Sequence, residues 1–377
     1  MKKGNIVKII SMALIISAAV SVLSACGSNE NTKKESSSSS SSAATSSEAS
    51  SASSVASETS TASQTSEPST DSNSIPEISD PTPESSGETV NGIFIYDNTA
   101  YELFYGDSDM AKNYAATISK MKKSLGSDIK VYNVIVPTHV GVTLPDKFKD
   151  LCSSQKDYID TITSSYSEDI TAVNTYNTLM HHRDEYLYFN TDHHWTGLAA
   201  YYAYTDFAKA AQIDAIPLSD LKENKIDGFK GSLARDTGLD TLKPDYVTYY
   251  TTDKDIETTT FDENGQNPSE SMLIHSYAEG ENAYGVFLGG DIPLMVSKNK
   301  DGNGQKIAIV KESYGNAFSP FIAYTYGETH IIDSRFFEGD LKQYLKDNGI
   351  SQVIFINNAM ASATGARCDE ISALIKS

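Results

Sequence analysis

Tyr186-Leu187-Tyr188-Phe189-Asn190-Thr191-Asp192-His193-His194-Trp195-Thr196-Gly197 is the stretch on which the reading of this 377-residue chain turns. A short apolar, aromatic run leads into one Asp, two His and the only Trp of the sequence. Leu198, Tyr202, Thr205 and Ala208 then fall on one helical face. The stretch reads as a strand, a polar turn and a helix. In an open α/β sheet, turns at the carboxyl ends of strands form the functional edge. Asp192 and His194 are two apart, so in extended chain their side chains leave on the same side. An Asp beside a His holds the imidazole in one tautomer and stabilises its cation. What the pair lacks is a nucleophile.

Downstream, Lys306-Ile307-Ala308-Ile309-Val310 is a buried-type strand that runs into Lys311-Glu312-Ser313-Tyr314-Gly315-Asn316-Ala317-Phe318 and then a helix, with Pro320 in its first turn. A Ser between a strand and a helix presents its hydroxyl at a sheet edge, beside the free N–H groups of the helix. Ser313 is therefore the candidate nucleophile, His194 its base and Asp192 the orienting carboxylate. The helix starting near Thr196 brings its positive end to the imidazole, which favours the neutral form that a base needs. Asn357 and Asn358 end the strand-like run Gln352 to Ile356 and are candidate oxyanion donors. Gly315, Tyr314, Trp195 and Arg335 are further candidates for oxyanion or substrate contacts. A Ser in this position is also an ordinary N-cap. It is the convergence of three polar strand ends that points to a Ser-His-Asp site.

The rest of the chain supports this architecture. Gly92 to Tyr96, Lys130 to Val136, Ile170 to Val173 and Thr329 to Asp333 read as strands. Met110, Tyr114, Ile118, Met121 and Leu125 mark an amphipathic helix stopped by Gly126. Helical patterns also cover Pro145 to Ser153, Tyr158 to Ser164, Tyr176 to Arg183 and Leu341 to Asn348. Alternating strand and helix predict a three-layer α/β/α sandwich around a mostly parallel sheet. Between about Ile213 and Asn282 the pattern becomes β-rich and loop-heavy. That insertion is either a flap over the active edge or plain extra sheet. Asp301-Gly302-Asn303-Gly304 marks a tight turn before the Ser313 strand.

Residues 1–25 have the basic start and apolar run of an export signal. Leu23-Ser24-Ala25-Cys26-Gly27 resembles the bacterial lipobox, which implies cleavage before Cys26 and its acylation. The apolar run is short for a bilayer span. Residues 26–88 are almost all Ser, Ala, Thr and Glu, with Pro towards the end. They have too little apolar surface to offset ordering entropy, so they read as a disordered tether. The globular part is then 89–377, placed outside the cytoplasm and lipid-anchored to the membrane. A net charge of -20 argues against nucleic acid as a partner. The 22 Tyr fit either sugar-stacking surfaces or partly buried scaffold. Cys152 and Cys368 are left after Cys26, and spacing does not say whether they meet.

Thr-Asp-His-His-Trp-Thr before a Tyr-rich helix resembles the DHHW family of bacterial exported proteins. Lys-Glu-Ser-Tyr-Gly-Asn-Ala-Phe-Ser-Pro-Phe and the later Ile-Ile-Asp-Ser-Arg-Phe-Phe resemble its second block. The family is similar to the SGNH-like acetyltransferases of alginate O-acetylation. On that pattern Asp192, His194 and Ser313 match catalytic positions, and the fold implied is SGNH-hydrolase-like. The residue before the Ser is Glu312, where many SGNH enzymes carry Asp, and no clear glycine block is present. The resemblance implies acetyl transfer to a cell-surface polysaccharide, with a membrane-bound O-acyltransferase as partner and no cofactor. A hydrolase would use the same triad, and a non-catalytic glycan-binding or assembly lipoprotein is the other alternative. His181, His182, Asp192, His193 and His194 are also possible metal ligands. Adjacent His residues on a strand point apart, however, so no metal site is assigned.

Overall fold

The computed structural model describes residues 75–78, 80, 82 and 84–376, all within the unit Thr70–Ser377. The export signal, Cys26 and most of the tether lie outside the described residues. The folded part starts earlier than residue 89. The Tyr96 hydroxyl donates to the Thr82 carbonyl at 2.7 Å, and Lys147 donates to the Thr82 and Ser85 carbonyls at 3.1 and 3.0 Å. Lys147 also pairs with Asp80 at 3.0 Å. Polar anchoring thus fixes the end of a stretch that has little apolar surface to bury.

A small antiparallel sheet opens the domain: β1 (Glu88–Val90), β2 (Ile93–Tyr96) and β3 (Thr99–Glu102). The main sheet contains β4 (Lys130–Val136) and β5 (Ile170–Asn174). A separate hairpin is made of β6 (Lys222–Phe229) and β7 (Asp245–Thr251). The main sheet continues with β8 (Ile256–Phe261), β9 (Ser269–Ser271), β10 (Leu294–Asn299), β11 (Lys306–Lys311), β12 (Glu328–Asp333) and β13 (Gln352–Asn358). Its order is β5-β4-β13-β11-β12-β10-β8-β9.

β5, β4, β13, β11 and β12 run parallel, whereas β10, β8 and β9 pair antiparallel. The sheet is therefore mixed, not mostly parallel. The cause lies in the connections. Only residues 300–305 join β10 to β11, and a parallel return needs a crossover of a dozen residues or more. β10 must run opposite to β11, and the insertion adds β8 and β9 beyond it. Much of the insertion is thus extra sheet.

Alternate side chains of the central strands feed two apolar clusters. Tyr132, Val134, Ile307, Ile309, Ile354 and Ile356 pack with the helices Gly197–Ala211 and Tyr314–Thr325 through residues such as Phe207, Phe318 and Phe321. Val131, Ile135, Ala308, Val310, Val353 and Phe355 pack with the helices Ser108–Leu125 and Gln155–Ser164 through Tyr114, Ile118, Tyr158 and Ile162. Strands covered on both faces read as the continuous apolar runs seen in the sequence. Pro320 lies inside the helix Tyr314–Thr325, beyond its first turn.

The run Tyr186 to Phe189 is not a strand of this sheet. Among the described residues its β pairing is a single bridge from Tyr188 to Trp195. The Thr196 N–H donates to the Leu187 carbonyl at 2.9 Å and the Ala100 N–H to the Asn190 carbonyl at 2.8 Å. The chain folds back on itself as a short hairpin, which a continuous apolar, aromatic run does not distinguish from a strand.

Candidate active site

Ser313 follows β11 at the carboxyl end of the parallel strands and starts the helix Tyr314–Thr325. Its backbone is already helical (φ -61°, ψ -25°), and its side chain makes no capping bond. Glu312 takes over that role. One of its carboxylate oxygens accepts from the Tyr314 N–H at 3.0 Å. The other accepts from the Asn358 N–H at 2.9 Å. The Ser313 hydroxyl is thereby released from the duty that a Ser here would ordinarily perform.

The hydroxyl Oγ lies 2.8 Å from His194 Nε2, and His194 Nδ1 lies 2.6 Å from Asp192 Oδ1. Asp192 Oδ1 also accepts the His194 backbone N–H at 2.9 Å, and Oδ2 accepts the Ser232 N–H at 2.8 Å. Burial works against ionisation of Asp192. The adjoining His194 charge and hydrogen bond, His193 and the Ser232 N–H outweigh it and hold the carboxyl well below the usual range. An ionised Asp192 only accepts, so Nδ1 carries the proton and Nε2 is free to accept from Ser313. Asp192 and His194 are 4% and 8% exposed, while Ser313 is half-buried. This is the chain of contacts that activates a hydroxyl as a nucleophile.

Most of the support for Asp192 and His194 comes from the insertion. Asp245, at the start of β7, accepts from the Asn190 N–H (3.0 Å) and side-chain amide (2.9 Å). It also accepts from the Thr191 N–H (2.7 Å) and hydroxyl (2.6 Å) and the Tyr186 hydroxyl (2.6 Å). Gly231 closes against Asp192 so tightly that a β-carbon would sit 2.2 Å from its side chain. The Ser232 hydroxyl lies 2.7 Å from His193 Nδ1. Tyr284 stacks on His194 at 3.9 Å between ring centres and donates to the Ser313 carbonyl at 3.1 Å. Part of the insertion thus does cover the active edge. Sequence reading found none of Asp245, Gly231, Ser232 and Tyr284. The sole available signal was an Asp at the head of a β-rich run.

The other expected site residues are placed differently. The Asn357 amide donates to the Tyr114 hydroxyl at 2.9 Å, on the far face of the sheet. The Asn358 amide turns to Glu312 and its carbonyl oxygen caps Ala361. Neither serves as the expected oxyanion donor. Trp195 is fully buried and donates to the Tyr314 carbonyl at 3.0 Å. The buried Tyr314 hydroxyl donates to the His193 carbonyl. Both brace the two site segments against each other. Gly315 lets the helix approach the Lys311 side chain, where a β-carbon would lie 2.5 Å away. Arg335 is held by Asp333 at 2.6 and 2.8 Å and by Asp291 at 2.7 Å. These residues were singled out for being near strand ends, and strand ends must also be tied together.

His193 is lowered to about 4 by burial and then by the neighbouring His194 charge, so its ring is neutral near pH 7. Glu102, on β3, is raised by burial and then by the Asp192 charge. Asp192, His193 and His194 each offer a ligand atom within 4.8 Å of the others. Two of those groups are already engaged with each other and with Ser313. Cys152 and Cys368 are free thiols.

The structure is similar to that of a DHHW family protein from Eubacterium siraeum, with 30% identity, a TM-score of 0.72, and coverage of 78% of this chain and 99% of that one. Bacillus cereus PatB1 aligns at 18% identity and a TM-score of 0.61, covering 73% of this chain and 98% of its own. PatB1 with a sulfonyl adduct aligns at 17% identity and 0.62, over 75% and 100%. These likenesses show a shared mixed α/β fold with one large sheet and packed helices. No curated protein sequence matches. The DHHW protein family itself matches residues 30–332, and the chain belongs to that family.

Proposed function

We propose that this protein transfers an acyl group, acetyl by its resemblance, to a hydroxyl of a cell-surface glycan through an acyl-enzyme on Ser313. The observation that carries the reading is the Ser313–His194–Asp192 chain at 2.8 and 2.6 Å. His194 Nε2 takes the Ser313 proton as the hydroxyl attacks the acyl carbonyl. The Tyr314, Gly315 and Asn316 N–H groups are already bonded to Glu312 and Ser313, which leaves the Ser313 N–H as the backbone donor for the oxyanion. His194 then protonates the leaving group, takes a proton from the glycan hydroxyl as that hydroxyl attacks the acyl-enzyme carbonyl, and returns it to Ser313 Oγ as the ester passes to the glycan. Asp192 keeps His194 in the required tautomer throughout.

In this reading Cys26 carries the lipid anchor, the protein works outside the cytoplasm, and a membrane-bound O-acyltransferase supplies the acyl group. Two or more chains on one Cys give stable anchoring where one does not. Cys26→Ala should release the protein from the membrane fraction or leave its precursor unprocessed.

The mechanism is tested with a small acyl ester, followed by mass analysis of acceptor sugars. Ser313→Ala and His194→Ala should each remove nearly all turnover, and the double variant should be scarcely worse, because the members act as one unit. Folded Ser313→Ala protein with undiminished turnover would falsify the nucleophile. Acyl release to water alone, with every acceptor left bare, makes the protein an esterase.

A further inference from the structure

The small sheet of β1, β2 and β3 touches the hairpin that carries Asp192 and His194. The Ala100 N–H donates to the Asn190 carbonyl at 2.8 Å, and the Thr99 hydroxyl donates to the Asn190 side-chain oxygen at 2.9 Å. β2 and β3 pair Ile95 with Ala100 and Ile93 with Glu102, so these four side chains leave on one face. Ile93, Ile95 and Ala100 pack there on Leu233, Ala234 and Leu242. Leu233 and Ala234 belong to the helix Ser232–Thr237. The first N–H of that helix holds Asp192 Oδ2, and its Ala234 N–H donates to the Thr191 carbonyl at 3.0 Å. Glu102 thus stands on the face of β3 that packs against the brace of the triad.

Glu102 is half-buried and makes no hydrogen bond or ion pair among the described residues. Of the charges that act on it, Asp192 comes first, then His194 and Asp236. Tyr314, whose hydroxyl donates to the His193 carbonyl, also feels the Glu102 charge. A carboxylate shielded from water, near a second carboxylate and without a partner, raises the energy of the resting fold. The reaction supplies a reason for it. At rest His194 is neutral, so Glu102 meets the uncompensated charge of Asp192. When His194 takes the Ser313 proton, the imidazolium cancels that charge and the repulsion is relieved. An interaction that improves only as charge develops lowers the barrier without tightening the ground state.

We infer that Glu102 is a positioning residue of the acyl-transfer site, its carboxylate acting through His194 to favour the imidazolium that forms as Ser313 attacks. The inference rests on the acyl-transfer reading, in which His194 is the base. The other groups that face His194 are Asp192, His193, Tyr284, Tyr314 and Ser313, while Arg235 and Asp291 act on His193. All of these stay unchanged in the test.

Two readouts on the full chain keep this inference apart from that reading. The first is the pH titration of the His194 ring by NMR, its resonances assigned by their loss in His194→Gln. It needs no turnover. Glu102→Gln removes the charge and keeps the shape. His194 should then release its proton about half a pH unit lower, the scale of one charge acting through a partly screened path. Glu102→Asp keeps the charge and should follow the parent. The second readout is the pH profile of ester turnover. A base must be neutral to act, so in Glu102→Gln the acid limb should move down with the titration. The plateau should fall about threefold, the same half unit expressed as a rate. A merely structural role would lower the plateau and leave limb and titration in place. That result, or a Glu102→Asp protein that behaves like Glu102→Gln, overturns the inference. A shifted titration in a protein without ester turnover overturns the acyl-transfer reading and leaves the action of Glu102 on His194 standing; turnover without the shift does the reverse.

Discussion

Ser313 and the Asp192–His194 pair reach the same point by different routes. Ser313 extends β11, which is paired with β13 on one side and β12 on the other. Its immediate neighbour Glu312 caps the following helix and ties the turn to Asn358. Its placement is a local consequence of a central strand. Asp192 and His194 sit on a hairpin outside the sheet and are held by groups far along the chain. Asp245 gathers Tyr186, Asn190 and Thr191, and Ser232 takes the outer oxygen of Asp192. A nucleophile can be placed by a strand end alone. A base that must meet it at 2.8 Å depends on long-range ties.

Cutting the long-range ties should therefore do the most damage. Asp245→Ala leaves five hydrogen-bond donors without their acceptor. A destabilisation of about 3–5 kcal/mol is expected, the scale of a few charge-assisted bonds after partial rehydration. Denaturant unfolding and ester turnover, measured together, check this. Full stability and full turnover would show that the hairpin holds itself. Gly231→Ala should come next. Its backbone (φ -89°, ψ -162°) suits any residue, so the effect comes from the β-carbon alone, which must push Asp192 aside. Overpacking of this kind costs about 1–3 kcal/mol. Turnover should fall more than stability does, because the displaced carboxylate orients His194. Equal melting and equal turnover would remove Gly231 from the account.

The same contrast explains what the sequence revealed. β4 and β11 were legible because strands buried on both faces are apolar throughout. The helix Ser108–Leu125 was legible because its apolar residues recur every three or four positions. Ser313, His194 and Asp192 were legible because each stands beside such an element. The hairpin was misread as a strand because its aromatic side chains bury against the insertion, through Phe189 on Phe229 and Tyr186 on Tyr246, and against the end of β4, through Tyr188 on His139, rather than beside a sheet neighbour. The reversal at β10 was missed because direction depends on loop length and not on the strand's composition. Asp245, Gly231 and Ser232 were invisible because nothing in a loop-rich stretch says which carboxylate faces which backbone amide. Asn357 and Asn358 were overread: polar residues at strand ends are needed both for chemistry and for tying the edge together.

A smaller effect is expected on the strand side. Glu312→Gln keeps the shape but weakens the acceptor of the Tyr314 N–H. Loss of an N-cap bond typically costs about 1 kcal/mol. A weaker tie at Tyr314 loosens the turn that holds the Ser313 hydroxyl 2.8 Å from His194 Nε2. Thermal melting should drop slightly, and turnover should fall by less than in Gly231→Ala. A larger loss than that of Gly231→Ala would reverse the contrast and put the strand end in command.

The smallest effect at neutral pH, and one that grows with acid, is expected where hairpin and sheet edge meet. His139, just beyond β4, stacks on Tyr188 of the hairpin, with 12° between the rings. In the unfolded chain its imidazole takes up a proton near pH 6.5, whereas burial keeps it neutral in the fold until about pH 3. Between those values the unfolded state holds the extra proton. Stability is therefore full above pH 6.5 and falls as the pH drops towards 3. Phenylalanine fills similar space between Tyr101 and Tyr188 and binds no proton. His139→Phe should melt close to the parent at pH 7.5 and lose less than the parent between pH 6.5 and 4. Melting curves recorded across that range decide it. Parallel losses in the two proteins would mean that acid acts elsewhere, and that the imidazole is not held neutral where hairpin and sheet meet.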